Sequence, residues 1–142
     1  MQSEQFGDVI VTTYKLLKTN TERVLRPFGI GMGQLNMLIL FYARPGISLS
    51  QTDFVKLLDI DKGNVSRNVK KLLEKGYLEA DEASLKHYRL STEGHALKTQ
   101  IMQKLMGLQG IMTEGVKDSE LEMTLAVLNL VRKNLSDENN EN

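Results

Sequence analysis

Asp61-Lys62-Gly63-Asn64-Val65-Ser66-Arg67-Asn68-Val69-Lys70-Lys71-Leu72-Leu73-Glu74-Lys75-Gly76-Tyr77-Leu78-Glu79 is the stretch whose reading decides the fold. It reads as one exposed helix running into a turn and a strand. The helix carries five basic residues, Lys62, Arg67, Lys70, Lys71 and Lys75, against one acid, Glu74. Its apolar positions, Val65, Val69, Leu72 and Leu73, recur at i, i+4, i+7 and i+8, a narrow stripe on a polar, basic cylinder. Such a helix docks by one face and presents the other to a polyanion.

Immediately upstream, Ser50-Gln51-Thr52-Asp53 opens a second helix with a capping-box pattern, and Phe54, Leu57 and Leu58 are its inward positions. Asp59-Ile60-Asp61 is the turn, with Ile60 as its apolar pin and Asp61 as N-cap of the basic helix. Helix, three-residue turn and basic helix make a helix-turn-helix. Downstream, Tyr77-Leu78-Glu79 reads as a short strand and Asp81-Glu82-Ala83-Ser84 as a polar turn. Lys86 to Leu90 reads as a second strand, with Tyr88 and Leu90 on one face and His87 and Arg89 on the other. A hairpin directly after a helix-turn-helix is a wing.

Further out, Phe6, Val9, Ile10, Thr13, Leu16, Leu17 and Leu25 predict an amphipathic helix over 4–28, stopped by Pro27 and Gly29. Three glycines in Gly29-Ile30-Gly31-Met32-Gly33 predict a helix–helix connection. No strand precedes that loop and no Lys-Ser/Thr follows, which argues against phosphate binding. Gln34 to Ala43 is nearly all apolar, a central buried helix ended by Arg44-Pro45-Gly46. A long helix is expected from Glu93 to Thr113, with Leu97, Ile101, Leu105, Leu108 and Met112 in one stripe, widened by Met102 and Met106. Asp118 or Ser119 is expected to cap a last helix with Leu121, Leu125, Leu128 and Leu135 in register. Residues 136–142 hold no apolar side chain and are expected to be disordered.

The 142 residues suit one small domain with dimerising arms, and 41% hydrophobic residues suffice for a core. No apolar run is long enough to span a membrane, the first residues do not resemble a signal peptide, and there is no cysteine. A cytoplasmic protein is the expectation. Net charge is zero, but its distribution matters more than its sum: residues 93–142 hold five basic and eight acidic residues, while the basic helix stands at five to one. With only His87 and His95 and no cysteine, a transition-metal site is not expected. No cofactor and no catalytic constellation are expected.

The chain resembles the MarR family of winged helix-turn-helix transcriptional regulators. The matching residues are Gly29-Ile30 with Gln34, Leu49-Ser50-Gln51 with Leu58, and Asp61-Lys62 with Val65-Ser66-Arg67. They continue through Leu72 to Glu79 and end with Leu90-Ser91-Thr92-Glu93-Gly94. The resemblance implies a mainly α fold with a small β-wing: a single domain over 1–135, with a DNA-binding part over 30–92 and dimerisation helices over 1–29 and 93–135. It also implies a homodimer on a palindromic double-stranded operator, repressing transcription until a small apolar or phenolic ligand releases it. Phe54-Val55 stands where the family usually has Leu-Ala, and Asp59 where it often has Gly; Asp tolerates a left-handed turn. The wing is shorter than usual and lacks the Asp-x-Arg of the family's tip.

On that reading Asn64, Ser66, Arg67 and Asn68 lie where base edges are read, Arg67 being the candidate for guanine. Lys62, Lys70 and Lys71 are phosphate anchors. Gln51 and Thr52 reach a phosphate from the preceding helix, and Lys86, His87 and Arg89 are the wing's candidates. For ligand sensing, Tyr14, Phe28, Met32, Met37, Phe41 and Tyr42 are candidates for a pocket, and the plainer reading makes them core. The alternative function is a winged-helix module that binds another protein, kept open by zero net charge and an acidic wing tip.

Overall fold

The structure is a computed structural model describing residues 3–141, with side chains over 5–138. Helix α1 runs Ser3–Leu25 and passes into a 3-10 turn, Arg26–Phe28. Gly29 ends it at φ 70° with its N–H on the Arg26 carbonyl, a left-handed stop that suits glycine. Helix α2 is Met32–Ala43 and begins two residues earlier than the apolar run. Its N-cap is Gly31, whose N–H donates to the Gln34 side-chain carbonyl at 2.6 Å.

Strand β1, Leu49–Ser50, was not legible in the sequence; two residues carry no periodicity. Ser50 then caps α3, Gln51–Leu58. Its hydroxyl accepts from the Asp53 N–H at 3.1 Å, and the Asp53 carboxylate accepts from the Ser50 N–H at 2.9 Å. The expected capping box is thus present in both directions. Asp59 adopts the left-handed conformation at φ 52°, and α4, Lys62–Glu74, follows. The wing is β2, Leu78–Ala80, and β3, His87–Leu90. β3 lies in the middle of a three-stranded antiparallel sheet, with Leu49 opposite Tyr88 and Leu78 opposite Leu90.

Helix α5 is Thr92–Met112 and α6 is Asp118–Glu141. The chain folds as two units, 1–108 and 109–142. In the first, Leu25, Met37, Leu38, Phe41, Phe54, Val65, Leu72 and Ile101 are essentially fully buried. Phe41 meets Phe54 edge-on, ring centroids 5.8 Å apart, an arrangement favoured by the ring quadrupoles. In the second, a turn at Gly115 (φ 79°) leads into α6. That helix carries Met123, Leu125, Val127, Leu128, Leu130 and Leu135 exposed.

Several expectations are corrected. Ile39, Leu57 and Leu73 are exposed, each at the margin of its apolar stripe, where a helix turns its side chains out of the core. Met106 and Met112 are exposed as well. Lys117, not Asp118 or Ser119, takes the N-cap position of α6: its carbonyl accepts from the Leu121 N–H and its own N–H donates to Glu120 Oε1 at 3.0 Å. The helix continues through Ser136–Glu141, where disorder was expected; propagating a formed helix costs little, and no proline or glycine stops it. Asn142 lies outside the described residues. No single helix among the described residues is long and apolar enough to cross a membrane.

The junction of the wing with α5 is tightly built. The Ser91 hydroxyl donates to the Gly76 carbonyl and accepts from the Gly94 N–H, capping α5 while fastening it to the end of α4. Tyr42 Oη donates to the Gly94 carbonyl at 2.8 Å, and Tyr77 Oη to the Phe28 carbonyl at 2.9 Å. Burial, with the nearby Tyr77, pushes the Tyr42 hydroxyl up to about 12. Gly94 leaves no room for a side chain: a Cβ there would lie 2.2 Å from the Tyr77 carbonyl oxygen and 2.7 Å from Leu90 Cδ1.

Candidate nucleic-acid interface

Helix α4 divides as its sequence predicts except at Leu73, which is exposed. Val65, Val69 and Leu72 are buried against the core. Lys62, Asn64, Ser66, Arg67, Lys70 and Lys71 are exposed, so one face of the helix gathers basic and amide groups with little desolvation cost.

The first turn is ordered by hydrogen bonds. The Asp61 carboxylate accepts from the Asn64 N–H at 2.8 Å, the N-cap bond expected of it. Its second oxygen accepts from Asn64 Nδ2 at 3.0 Å, and Asn64 Oδ1 accepts from Arg67 Nη2 at 2.8 Å. Asn68 is set differently. Half-buried, it accepts from Gln34 Nε2 at 2.6 Å through its Oδ1. The approach depends on Gly33, where a Cβ would stand 2.7 Å from that same oxygen. Asn68 therefore ties α4 to α2 and is not part of the exposed face. Its partner is 34 residues away, so nothing local in the sequence could show it.

In the wing, Asp81 organises the tip: its N–H donates to the His87 carbonyl at 2.8 Å and its carboxylate accepts from the Ala83 N–H at 3.0 Å. Arg89 Nε donates to Glu79 Oε1 at 2.9 Å across the strand pair, and Arg89 Nη1 lies 4.0 Å from Asp81. His87 Nε2 stands 3.9 Å from the Asp53 carboxylate, while Nδ1 lies 2.9 Å from the Leu85 carbonyl oxygen. The Ser50 backbone N–H, more than its hydroxyl or the neighbouring His87, holds the Asp53 carboxyl below its ordinary value. Arg89 is thus engaged with carboxylates of its own chain, and His87 stands near one. Lys86, at φ 61°, and the 87% exposed Leu85 form the tip; the tip leucine gave no signal in the sequence.

Lys86 and Lys62 converge on a cleft of about 340 Å³ that Ser50, Gln51, Thr52 and Tyr88 complete. Two ammonium groups, hydroxyls and an amide on one concave surface suit an anionic oxygen such as a backbone phosphate. The structure thus brings Gln51, Thr52, Lys62 and Lys86 together.

The six ligand candidates have separate surroundings. Phe28, Met37, Phe41 and Tyr42 are buried in the core, and Tyr14 is exposed on α1; Met32 is half-buried at the start of α2. Phe28 also borders a cleft of about 440 Å³ with Pro27, Gln100, Gln103 and Lys104. Phe41 borders another of about 260 Å³ with Gly46, Ile47, Arg89, Leu90 and His95. The α5 residues Gln100, Gln103 and Lys104 were not singled out in the sequence, although their spacing puts them on one polar face.

Comparison with known proteins agrees with this geometry. Residues 28–85 match the model of the MarR family. A MarR transcriptional regulator from Methanosarcina mazei Go1 is 24% identical, with 94% of this chain and 96% of that one covered and a TM-score of 0.80. Staphylococcus aureus MarR, solved in complex with salicylate and kanamycin, is 21% identical over 96% and 93% of the two chains, TM-score 0.83. A cysteine-to-serine mutant of E. coli MarR, complexed with operator DNA, is 21% identical over 89% and 93%, TM-score 0.76. No curated protein sequence matches the chain. The winged-helix segment is that of the MarR family, and the chain has the MarR fold.

Proposed function

We propose that this MarR-family chain is a sequence-specific double-stranded DNA-binding transcriptional regulator, a homodimeric repressor released by a small apolar or phenolic ligand. The observation that carries the DNA reading is the exposed face of α4, where Lys62, Arg67, Lys70 and Lys71 lie opposite the buried Val65, Val69 and Leu72. An α-helix fits the major groove, and the cleft holding Lys62 and Lys86 supplies a phosphate anchor beside it. The operator complex of the E. coli relative supports the same assignment.

Dimerisation is supported by apolar side chains left exposed in the single chain, among them Val9, Val11 and Leu16 on α1 and Met123, Leu125 and Leu130 on α6. Ligand release is supported by the salicylate complex of the S. aureus relative. Gene control in the cytoplasm, with no chemistry of its own, is the role that follows.

The test is selection of bound fragments from sheared genomic DNA, with affinity measured at about 50 and 200 mM salt. An inverted repeat with half-sites about one helical turn apart is expected, with affinity falling by orders of magnitude across that salt range. Arg67→Ala is expected to cost about 1–3 kcal/mol of specific affinity. A protein-binding module is the second reading, favoured by the exposed Leu85 and by the carboxylate partners of His87 and Arg89. It predicts weak binding with no preferred sequence.

A further inference from the structure

We infer that Asp61 and Asn64 are positioning residues that set the guanidinium of Arg67 for one base pair, with Gly63 keeping the space it occupies; this rests on the DNA-binding reading above. Two independent features point there. The first is the unbroken chain of hydrogen bonds from the Asp61 carboxylate through the Asn64 side-chain amide to Arg67 Nη2, at 3.0 and 2.8 Å. The second is clearance. A Cβ at position 63 would lie 3.2 Å from Arg67 Nη1 and 3.2 Å from Asp61 Oδ1. The guanidinium thus lies back over the first turn of α4, in space that a side chain at position 63 would narrow.

Each link has a chemical reason. An amide side chain can turn over, presenting N where O was; the second Asp61 oxygen accepts only from the nitrogen, so it fixes the oxygen toward Arg67. A guanidinium is a planar fork of five N–H donors. With one Nη2 donor committed to Asn64, the plane of the fork is set and the remaining donors are directed before DNA arrives. Preorganisation of this kind lowers the entropy lost on forming a bidentate contact. A long arginine free to sweep would contact neighbouring bases with less discrimination.

The experiment is selection on a randomised operator with full-length protein, comparing Arg67→Ala, Asp61→Ser and Gly63→Ala with the unmodified chain. Serine keeps an N-cap acceptor for the helix but has no second oxygen for the Asn64 amide. Alanine at position 63 favours the helix itself, so neither variant is expected to unfold α4; circular dichroism checks this. All three are expected to relax base preference at the same operator position, by roughly five- to hundred-fold for Arg67→Ala and by a smaller factor for the other two. The slope of affinity against salt, which counts phosphate contacts, is expected to stay unchanged in Asp61→Ser and Gly63→Ala.

Relaxation in Arg67→Ala with full preference retained in folded Asp61→Ser and Gly63→Ala overturns the positioning role. No relaxed position in Arg67→Ala overturns it too, while leaving DNA binding standing. Absence of any preferred sequence for the unmodified chain removes the functional reading and this inference together.

Discussion

Gly94→Ala sets two opposite effects against each other. Alanine is the better helix former, by up to about 1 kcal/mol, and propensity alone predicts a more stable protein. The structure predicts the reverse. The new Cβ would stand 2.2 Å from the Tyr77 carbonyl oxygen and 2.7 Å from Leu90 Cδ1. Carbon–oxygen contacts are comfortable only beyond about 3.4 Å, so the first turn of α5 or the Gly76–Tyr77 segment must retreat by roughly 1 Å.

Neither can do so without loss. The Tyr77 carbonyl accepts from the Ser91 N–H at 3.0 Å, and the Gly94 carbonyl is held by Tyr42 Oη. Overpacking of this kind costs about 1–3 kcal/mol, and a strained hydrogen bond adds about 1 kcal/mol. Against the propensity gain, the net expectation is destabilisation by about 1–3 kcal/mol. Urea denaturation followed by circular dichroism, at one fixed protein concentration because association shifts apparent stability, would show the midpoint lowered by about 1 M at a typical slope. A midpoint equal to or above that of the parent would refute the clearance argument and return the position to propensity.

Two titrations test the surroundings of Tyr42 and Asp53. Tyr42 is held neutral to about 12, against an ordinary tyrosine value of 10.0. The unfolded chain therefore loses that proton first, and stability falls as pH rises from 10 towards 12, by roughly 2–3 kcal/mol in all. Tyr42→Phe is expected to lower stability at neutral pH by about 1 kcal/mol and to flatten that alkaline decline; an unchanged decline would show that another group causes it. Asp53 goes the other way. Its folded carboxyl sits below the ordinary 3.8, chiefly through the Ser50 N–H, so its contribution is present above that value and disappears as pH drops through the lowered one. Urea midpoints measured from pH 5 down to 2 are expected to fall less in Asp53→Asn than in the parent, and parallel curves would count against the capping box as the cause.

Much of the helix-turn-helix was legible because its punctuation is local. Ser50, Asp53, Asp59 and Asp61 each act within three or four residues of themselves, so their roles can be read from spacing. The same holds for the exposed face of α4, which is the complement of the stripe Val65, Val69 and Leu72. What escaped the sequence depends on partners distant along the chain. Asn68 looked like one more polar residue of the basic helix until Gln34 came alongside it through the gap at Gly33. Arg89 looked available until strand register set it opposite Glu79. Leu57 and Leu73 fitted an apolar rhythm, yet rhythm fixes only the middle of a stripe, and both lie at its edge.

The junction of Tyr42, Tyr77, Ser91 and Gly94 also bears on how the sequence can drift. These residues lie on α2, before β2 and around the start of α5, and their hydrogen bonds fasten the backbone at Phe28, Gly76 and Gly94, three places far apart along the chain. Substitutions among such linked residues are not additive: the cost of losing one depends on whether the others are intact. Exchange of these positions one at a time therefore passes through a weak intermediate, whereas a combined exchange need not. Natural variation at this junction should come in correlated sets, while the solvent face of α5 a few residues away changes freely.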